Sequence, residues 1–245
     1  MHLSDATWTD ADSVDTDLAL LPVGSTEQHG PHAPLGTDVE TATAVAEAAS
    51  EAYDGEVVVA PAIPVGIAEE HRHFSGTLWV SPDTFRSYVR ETVASLAYHG
   101  WDRVVVVNGH GGNVPALGEV CATICRHDAA NAVPYTWFEG VGDQRHDMGH
   151  GGPLETALLR WVEPDLIRED RIDEAREGAA ERWGEWVSRV NLAVDSAEFT
   201  ENGVVGDPEE GSKERGEELL ALASAALVEL LAAIEGRDLT GPERR

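Results

Sequence analysis

The chain of 245 residues carries 45 acidic and 17 basic side chains, which gives a formal net charge of −28 at pH 7. Nucleic acids and anionic membranes are bound through lysine and arginine, so this charge excludes both as expected partners. No apolar run is long enough to span a bilayer and no basic-then-apolar leader is present, so we expect a cytoplasmic protein. The carboxylates are spread through every segment, which favours a solvated surface adapted to high salt over an acidic surface that excludes substrates.

Apolar runs that end in proline or glycine alternate along the chain with alanine- and leucine-rich segments. Strands are predicted at residues 18–23, 57–60, 103–107 and 132–138. Helices are predicted at residues 41–53, 83–99, 113–127, 154–162 and 212–234, with Trp183 and Trp186 on a further helix. The four consecutive valines of the third strand indicate burial on both faces, as in a parallel sheet. The alternation predicts one α/β domain over residues 1–245, with a parallel sheet and helices on both faces.

Three of these helices have recognisable start signals. Thr37 followed by Glu40 is typical of a capping box, in which the threonine hydroxyl closes the first turn. Ser81 before Pro82 predicts an N-cap with proline at the first helical position. Asn113 is assigned as the cap of the helix that follows the valine-rich strand.

Three polar loops follow predicted strands: Leu21–Asp38, Asn108–Asn113 and Asp147–Thr156. In parallel α/β sheets, ligands bind at the carboxyl ends of the strands. We therefore expect these loops to line one crevice.

The loops carry carboxylates and imidazoles that suit a metal. Glu27 and His29 are two residues apart, so in extended chain both side chains project from one face. Asp38 lies at a helix start, and His110 is surrounded by glycines that let backbone approach a ligand. This ligand set suits zinc, manganese or iron, and a carboxylate such as Asp38 can bridge two metals about 3.5–4 Å apart. Each residue alone could have a purely structural role: Asp38 as a charge at a helix start, His29 as a loop histidine and Asn108–Asn113 as a tight turn. The metal hypothesis therefore depends on all of them following strands of one sheet.

Other catalytic motifs do not fit. The loop Asn108–Asn113 lacks the third glycine of a dinucleotide-binding loop, and Gly24–Gly30 lacks the lysine of a phosphate-binding loop. Ser25 and Ser75 do not lie in a nucleophile elbow. His71 and His73 are assigned to a loop that lines the substrate rather than to the metal.

Three motifs make the chain resemble the creatininase-like amidohydrolases. They are Gly24–His32 with Thr37-Asp38, then Asn108–Asn113, and then His150-Gly151-Gly152 with Glu155-Thr156. Weaker likeness lies in Glu70-His71 with Phe74 and Gly76-Thr77, and in residues 203–208. Together with the acidic composition, the resemblance predicts a family member from a salt-adapted, halophilic archaeal source.

The resemblance implies a three-layer α/β/α fold, two divalent metal ions (zinc, manganese or iron) and a homo-oligomer, often a hexamer. By position, one metal would be bound by Glu27, Asp38 and His110, and the other by His29, Asp38 and Glu155. Creatininase has a glutamate where this chain has Gly112, and Glu155 is the replacement that the resemblance suggests. His150 would transfer the proton to the departing nitrogen. Substrate contacts are assigned to His71, Gly111 and Asp147.

The resemblance leaves the substrate open. The family includes enzymes that act on creatinine, on a formamidopyrimidine ribotide in archaeal flavin and deazaflavin synthesis, and on a peptide in mycofactocin maturation. We expect the enzyme to act on a C–N bond other than a peptide bond, in a cyclic or formyl amide. Among the three substrates, the glycine form of the Asn108–Asn113 loop and the salt-adapted composition favour the small formyl amide. A catalytically silent subunit that binds metal is the alternative from another functional class, although an intact ligand set argues against it.

Overall fold

A computed structural model describes residues 1–238, in which four parallel strands form one sheet. The strands are β1 (Leu18–Val23), β2 (Val58–Val59), β3 (Arg103–Asn108) and β4 (Asn131–Thr136), and their order is β2-β1-β3-β4. Leu20 of β1 lies opposite Val59 of β2 and Val105 of β3. The predicted parallel sheet is confirmed. The predicted domain extent also includes residues 239–245, which lie outside the described residues.

Seven α-helices are described within residues 1–238. They are α1 (Trp8–Asp12), α2 (Thr37–Ala52), α3 (Pro82–Tyr98), α4 (Val114–His127), α5 (Pro153–Val162), α6 (Ile172–Glu177) and α7 (Lys213–Glu235). Short 3₁₀ turns span Glu69–His71, Gly111–Asn113, Trp137–Glu139, Gly142–Asp147, Pro164–Leu166, Glu169–Arg171, Ser196–Glu198 and Pro208–Glu210. None of the helices in this range is both long and apolar enough to cross a membrane.

The two faces of the sheet carry two separate apolar cores. Leu18 and Leu20 of β1 belong to the core under α2, α5 and α7. Ala19 and Leu21, which alternate with them, belong to the core under α3 and α4. Successive strand residues point to opposite faces, so the valine-rich β3 is buried on both sides. The result is the expected three-layer α/β/α arrangement.

The helix starts differ in part from their predicted caps. The Ser81 hydroxyl accepts a hydrogen bond from the Thr84 backbone N–H at 3.2 Å, which confirms that cap. The Thr37 cap is wrong, because Thr37 is already helical and its hydroxyl donates to the Pro34 carbonyl at 2.7 Å. Asn113 does occupy the N-cap position of α4, but its side chain makes no capping hydrogen bond. Its amide joins two loops, accepting from Ile67 N at 3.0 Å and donating to the Gly24 carbonyl at 3.1 Å.

The segment around Trp183 and Trp186 is not a helix. It forms an antiparallel hairpin of β5 (Trp186–Val187) and β6 (Val190–Asn191), joined by Ser188 and Arg189 with φ of 49° and 68°. A turn with two residues of positive φ has a twist that matches the twist of the flanking strands, so it favours a hairpin. The three-residue spacing of the tryptophans, typical of a helix face, is therefore not decisive here. Beyond the turn, exposed Val190, Leu192 and Val194 alternate with less exposed residues, so the apolar side of this segment faces outward.

Candidate metal centre

The predicted site lies where the direction of the chain across the sheet reverses. The chain runs from β1 to β2 on one side and then to β3 on the other side of β1. The helices that follow, α2 and α4, pack against opposite faces, so the loops after β1 and β3 diverge and leave a crevice. Gly109 N donates to the Val23 carbonyl at 2.9 Å, which ties the two loops together.

Close backbone approach sets the position of the second loop. A Cβ atom on Gly109 would collide with the Asp38 carbonyl oxygen, so only glycine fits at this position. The Asn108 side chain accepts from His110 N at 3.1 Å and donates to the His110 carbonyl at 2.7 Å. These contacts direct the His110 ring toward the start of α2.

The first predicted ligand set is brought together. His110 Nδ1 lies 3.0 Å from Glu27 Oε1 and 3.2 Å from Asp38 Oδ2, and all three side chains are buried. The other ring nitrogen, Nε2, donates to the Ile67 carbonyl at 2.6 Å. In the neutral ring Nδ1 is therefore bare and points at two carboxylates.

The second predicted set is assembled in the same way. His29 Nε2 lies 3.1 Å from Asp38 Oδ1 and 3.6 Å from Glu155 Oε1. Its Nδ1 is 3.2 Å from the Glu27 carbonyl oxygen, which can only accept a hydrogen bond. Glu155 is held by Gly151 N, which donates to Oε2 at 2.6 Å and leaves Oε1 toward the imidazole. Asp38 thus presents one oxygen to each histidine.

At this site, hydrogen-bond acceptors face one another: carboxylate oxygens lie against the bare nitrogens of neutral imidazoles. Both carboxylate oxygens of Glu27 and Oδ2 of Asp38 are buried without a hydrogen-bond partner among the described residues. Such groups are costly to bury unless a cation or a proton lies between them. Carboxylates and neutral imidazoles with their second nitrogen fixed by a backbone carbonyl are also how proteins prepare metal ligands. The residues therefore fit a divalent metal.

Without metal, protons take the place of the cation. Burial raises the pKa of Glu27 to about 7. Burial by itself lowers the pKa of His29 and His110, but the adjoining carboxylates outweigh it and raise both pKa values well above the ordinary one. Burial likewise opposes ionisation of Asp38, yet the two imidazoles hold its pKa below the usual range. Metal binding must displace these protons.

We expect the thermal stabilisation by zinc to grow as the pH rises from 5 to 8. The folded pKa of Glu27, about 7, exceeds the unfolded value of about 4.3, so between these values the metal-free fold binds more protons than the unfolded chain. Stability present at low pH is therefore lost as the pH rises through about 7, and a cation restores it. The Tm with and without zinc at each pH measures this difference.

The control for this pH dependence is Glu27→Gln, which keeps the shape of the side chain and cannot ionise. The chain's general negative charge affects both proteins alike, so a flatter metal-free Tm profile in the variant isolates Glu27. Equal zinc-induced gains in Tm at pH 5 and pH 8 in the unaltered protein would contradict the prediction.

His150 and His71 line the same cluster. The His150 ring stacks between His29 and His71, with centroid distances of 4.4 and 4.3 Å. His150 Nδ1 is 3.7 Å and His71 Nε2 is 3.9 Å from Glu27 Oε1. Burial lowers the pKa of His71 to about 3 and that of His150 well below its ordinary value, so both rings are neutral. By distance alone, His150 could also complete a metal triplet with His29 and Glu155.

The other two predicted substrate contacts lie farther out. Gly111 is exposed at the start of a 3₁₀ turn, and a Cβ there would meet open space. Asp147 pairs with Arg215 at 2.7 Å and lines a cavity of about 450 Å³ together with Trp183. Neither contacts the buried cluster in a described interaction, so both assignments stay predictions.

Two neighbours of the cluster were not predicted. Trp183 meets the edges of His71 and His150 at centroid distances of 5.5 and 5.9 Å. Gln28 lies between these histidines, and it stands in the sequence directly between Glu27 and His29. Because Gln28 stands between two predicted ligands, its place beside the cluster could have been predicted from the sequence. The contact of Trp183 could not, because it depends on how the segment before the hairpin folds.

Comparison with known proteins identifies the family of the chain. The family model for creatininase, described as creatinine amidohydrolase, matches residues 4–231. The chain is 36% identical over 211 residues to the mycofactocin precursor peptide peptidase of Mycolicibacterium smegmatis, covering 83% of this chain and 80% of that protein. It is 25% identical over 237 residues to the creatinine amidohydrolase of Pseudomonas putida, covering 87% and 88%. A solved mutant creatininase of the Zn-Zn type shares the fold, with a TM-score of 0.81 and 23% identity over 96% of this chain and 98% of that one. The chain therefore belongs to the creatininase family of amidohydrolases.

Proposed function

We propose that the chain hydrolyses an amide C–N bond with two divalent cations held between β1, β3 and α5. Glu27, Asp38 and His110 would hold one cation, and His29, Asp38 and Glu155 the other. The observation that carries the proposal is that the buried oxygens of Glu27 and Oδ2 of Asp38 have no hydrogen-bond partner within residues 1–238 and face His110 Nδ1, which is bare in the neutral ring. Zinc, manganese and iron all suit this donor set.

The residues around the cations supply the remaining chemistry. Bound divalent cations provide Lewis acidity, which polarises a carbonyl oxygen and makes water a better nucleophile near neutral pH. His150 faces the cluster through Nδ1, and its lowered pKa makes it release any proton it receives. We assign to it the transfer of a proton to the departing nitrogen, since an amine leaves poorly without one.

A peptide amide bond is the first candidate substrate. It is supported by the relatives named as mycofactocin precursor peptide peptidases, which are 33–36% identical to this chain. It is supported independently by the outward apolar side chains Val190, Leu192 and Val194. They lead directly to Asp195 and Ser196, and the Ser196 hydroxyl lies 3.0 Å from His71 Nδ1.

A small formyl or cyclic amide, such as the formamidopyrimidine ribotide, is the second candidate. The burial of the site favours it, because His110 and His150 are only 4% and 6% exposed and admit a small reacting group. Creatinine itself is disfavoured by Gly112, where creatininase by resemblance carries a glutamate. A homo-oligomer, a hexamer by resemblance, stays a prediction.

Metal analysis followed by a substrate screen tests the proposal. The zinc- or manganese-loaded protein is incubated in high salt with a mixed octapeptide library, a formylated aminopyrimidine and creatinine, and products are read by mass spectrometry. We expect about two cations per chain and cleavage of the peptides. Bound metal without cleavage of any probe would favour the silent subunit, and a protein that binds no metal would refute the proposal.

A further inference from the structure

The Gln28 side chain is a buried amide whose orientation is fixed by its backbone partners. Gly30 N donates to Oε1 at 2.9 Å, and Nε2 donates to the Gly203 carbonyl at 3.0 Å. An amide turned by 180° would place oxygen against oxygen and N–H against N–H, so the network allows one orientation. Gln28 Nε2 has one further hydrogen, and only 5% of the residue is exposed.

Two imidazoles lie within reach of that second hydrogen. Gln28 Nε2 is 2.8 Å from His71 Nδ1 and 2.9 Å from His150 Nε2. However, His150 Nε2 also lies 2.6 Å from the Gln28 backbone carbonyl, which can only accept. His150 Nε2 therefore carries its own hydrogen, and the hydrogen of Gln28 is left for His71 Nδ1.

This assignment fixes both rings because each neutral imidazole has a single N–H. His150 carries it on Nε2, so its Nδ1 is bare. His71 accepts at Nδ1, so its hydrogen is on Nε2. The Ser196 hydroxyl lies 3.0 Å from both His71 Nδ1 and the Glu70 carbonyl, and its single hydrogen goes to His71 when that nitrogen is bare. Two ring nitrogens therefore face Glu27 with different roles: His150 Nδ1 is a hydrogen-bond acceptor, and His71 Nε2 is a donor.

We propose that Gln28 is a positioning residue that holds both stacked imidazoles in the Nε2–H tautomer, so that His150 turns its bare Nδ1 and His71 its Nε2–H toward the cluster. His71 then presents an N–H to the oxygen of the substrate carbonyl, and His150 presents a bare nitrogen for proton transfer. The roles toward substrate rest on the proposed function, whereas the tautomers do not. One consequence is that His71 cannot be a metal ligand, which removes the triplet of Glu27, His71 and His150 as a cation site.

The test measures tautomers directly. Protein labelled with ¹⁵N-histidine is examined by NMR through two-bond ¹H–¹⁵N couplings, and a His71→Asn spectrum identifies the His71 signals. We expect protonated Nε2 and bare Nδ1 on His71, and the same pattern on His150. In Gln28→Glu the carboxylate can only accept at this position, so the His71 hydrogen should move to Nδ1.

Activity and metal content complete the design. Loss of the His71 donor should lower kcat by roughly 10²-fold with metal content unchanged, in line with the loss of a single transition-state donor. Gln144→Glu makes the same chemical change outside the cluster and should alter neither tautomer nor kcat. Gln28→Met replaces Gln28→Glu if the carboxylate prevents folding. Without the Gln28 donor, the His71 hydrogen should move to Nδ1 and be donated to Ser196, whose own hydrogen then goes to the Glu70 carbonyl.

Two results would overturn the proposal. One is a His71 signal in the unaltered protein with the hydrogen on Nδ1, and the other is an unchanged His71 tautomer in the Gln28 variants. An inactive protein that shows the expected tautomers would instead count against the proposed function alone.

Discussion

Replacing Asp38 by asparagine is expected to abolish hydrolysis and to reduce the bound metal below two ions per chain. Asp38 presents one carboxylate oxygen to His29 at 3.1 Å and the other to His110 at 3.2 Å. An amide keeps the shape but has only one acceptor oxygen, so it cannot serve both positions. Metal-assisted catalysis is worth several kcal/mol, so we expect kcat to fall by about 10³-fold or more. Metal analysis and steady-state kinetics measure both effects.

Asp83→Asn is the matched control. Asp83, like Asp38, lies in the first turn of a helix, but it is exposed and pairs with Arg86. If Asp38 served only as a favourable charge at a helix start, the two substitutions would have similar, small effects on Tm and none on activity. Full metal content and turnover in Asp38→Asn would contradict the assignment of the metal centre.

His150→Ala should lower turnover by roughly 10²–10⁴-fold while metal content stays intact, which is the usual range for loss of a general acid or base. The reason is positional: His150 Nδ1 faces the cluster, while Nε2 is occupied by the Gln28 carbonyl. Kinetics on the substrate identified by the screen and metal analysis of the same preparation measure the two quantities together.

His127→Ala is the control, because it removes an exposed histidine from the last turn of α4, at the other end of that helix from the metal centre. It should leave turnover unchanged. A fall in metal content in His150→Ala would mean that His150 ligates a cation with His29 and Glu155, and the proton-transfer role would then be wrong.

The sequence predicted which loops meet, because a parallel sheet brings together the loops that follow neighbouring strands. Loops after neighbouring parallel strands must meet at one edge, so Glu27 and His110 could be placed together without coordinates. The four consecutive valines of β3 likewise predict a strand that is buried on both faces. These features depend on the spacing of apolar residues and on the order of strands and loops, and both can be read from a single sequence.

Other features depend on competition between contacts that no local pattern reveals. Thr37 matches a capping box, yet its hydroxyl bonds to the preceding turn. Trp183 and Trp186 match a helical spacing, yet residues 188 and 189 turn the chain into a hairpin. The tautomers of His71 and His150 follow from a Gln28 amide that reaches Gly203, 175 residues along the chain. Long-range hydrogen bonds of this kind are set only once the fold exists.

The proposed metal ligands are distributed over the chain, so bound cations would join distant segments of the fold. Glu27 and His29 come from the loop between β1 and α2, and Asp38 from the first turn of α2. His110 follows β3, and Glu155 belongs to α5. A bound ion therefore penalises every partial opening that separates these segments, and amide hydrogens in β1 and β3 gain protection from exchange. The β5–β6 hairpin supplies no proposed ligand, so its amide hydrogens gain no such protection. It can unfold locally while the segments that hold the ion stay folded.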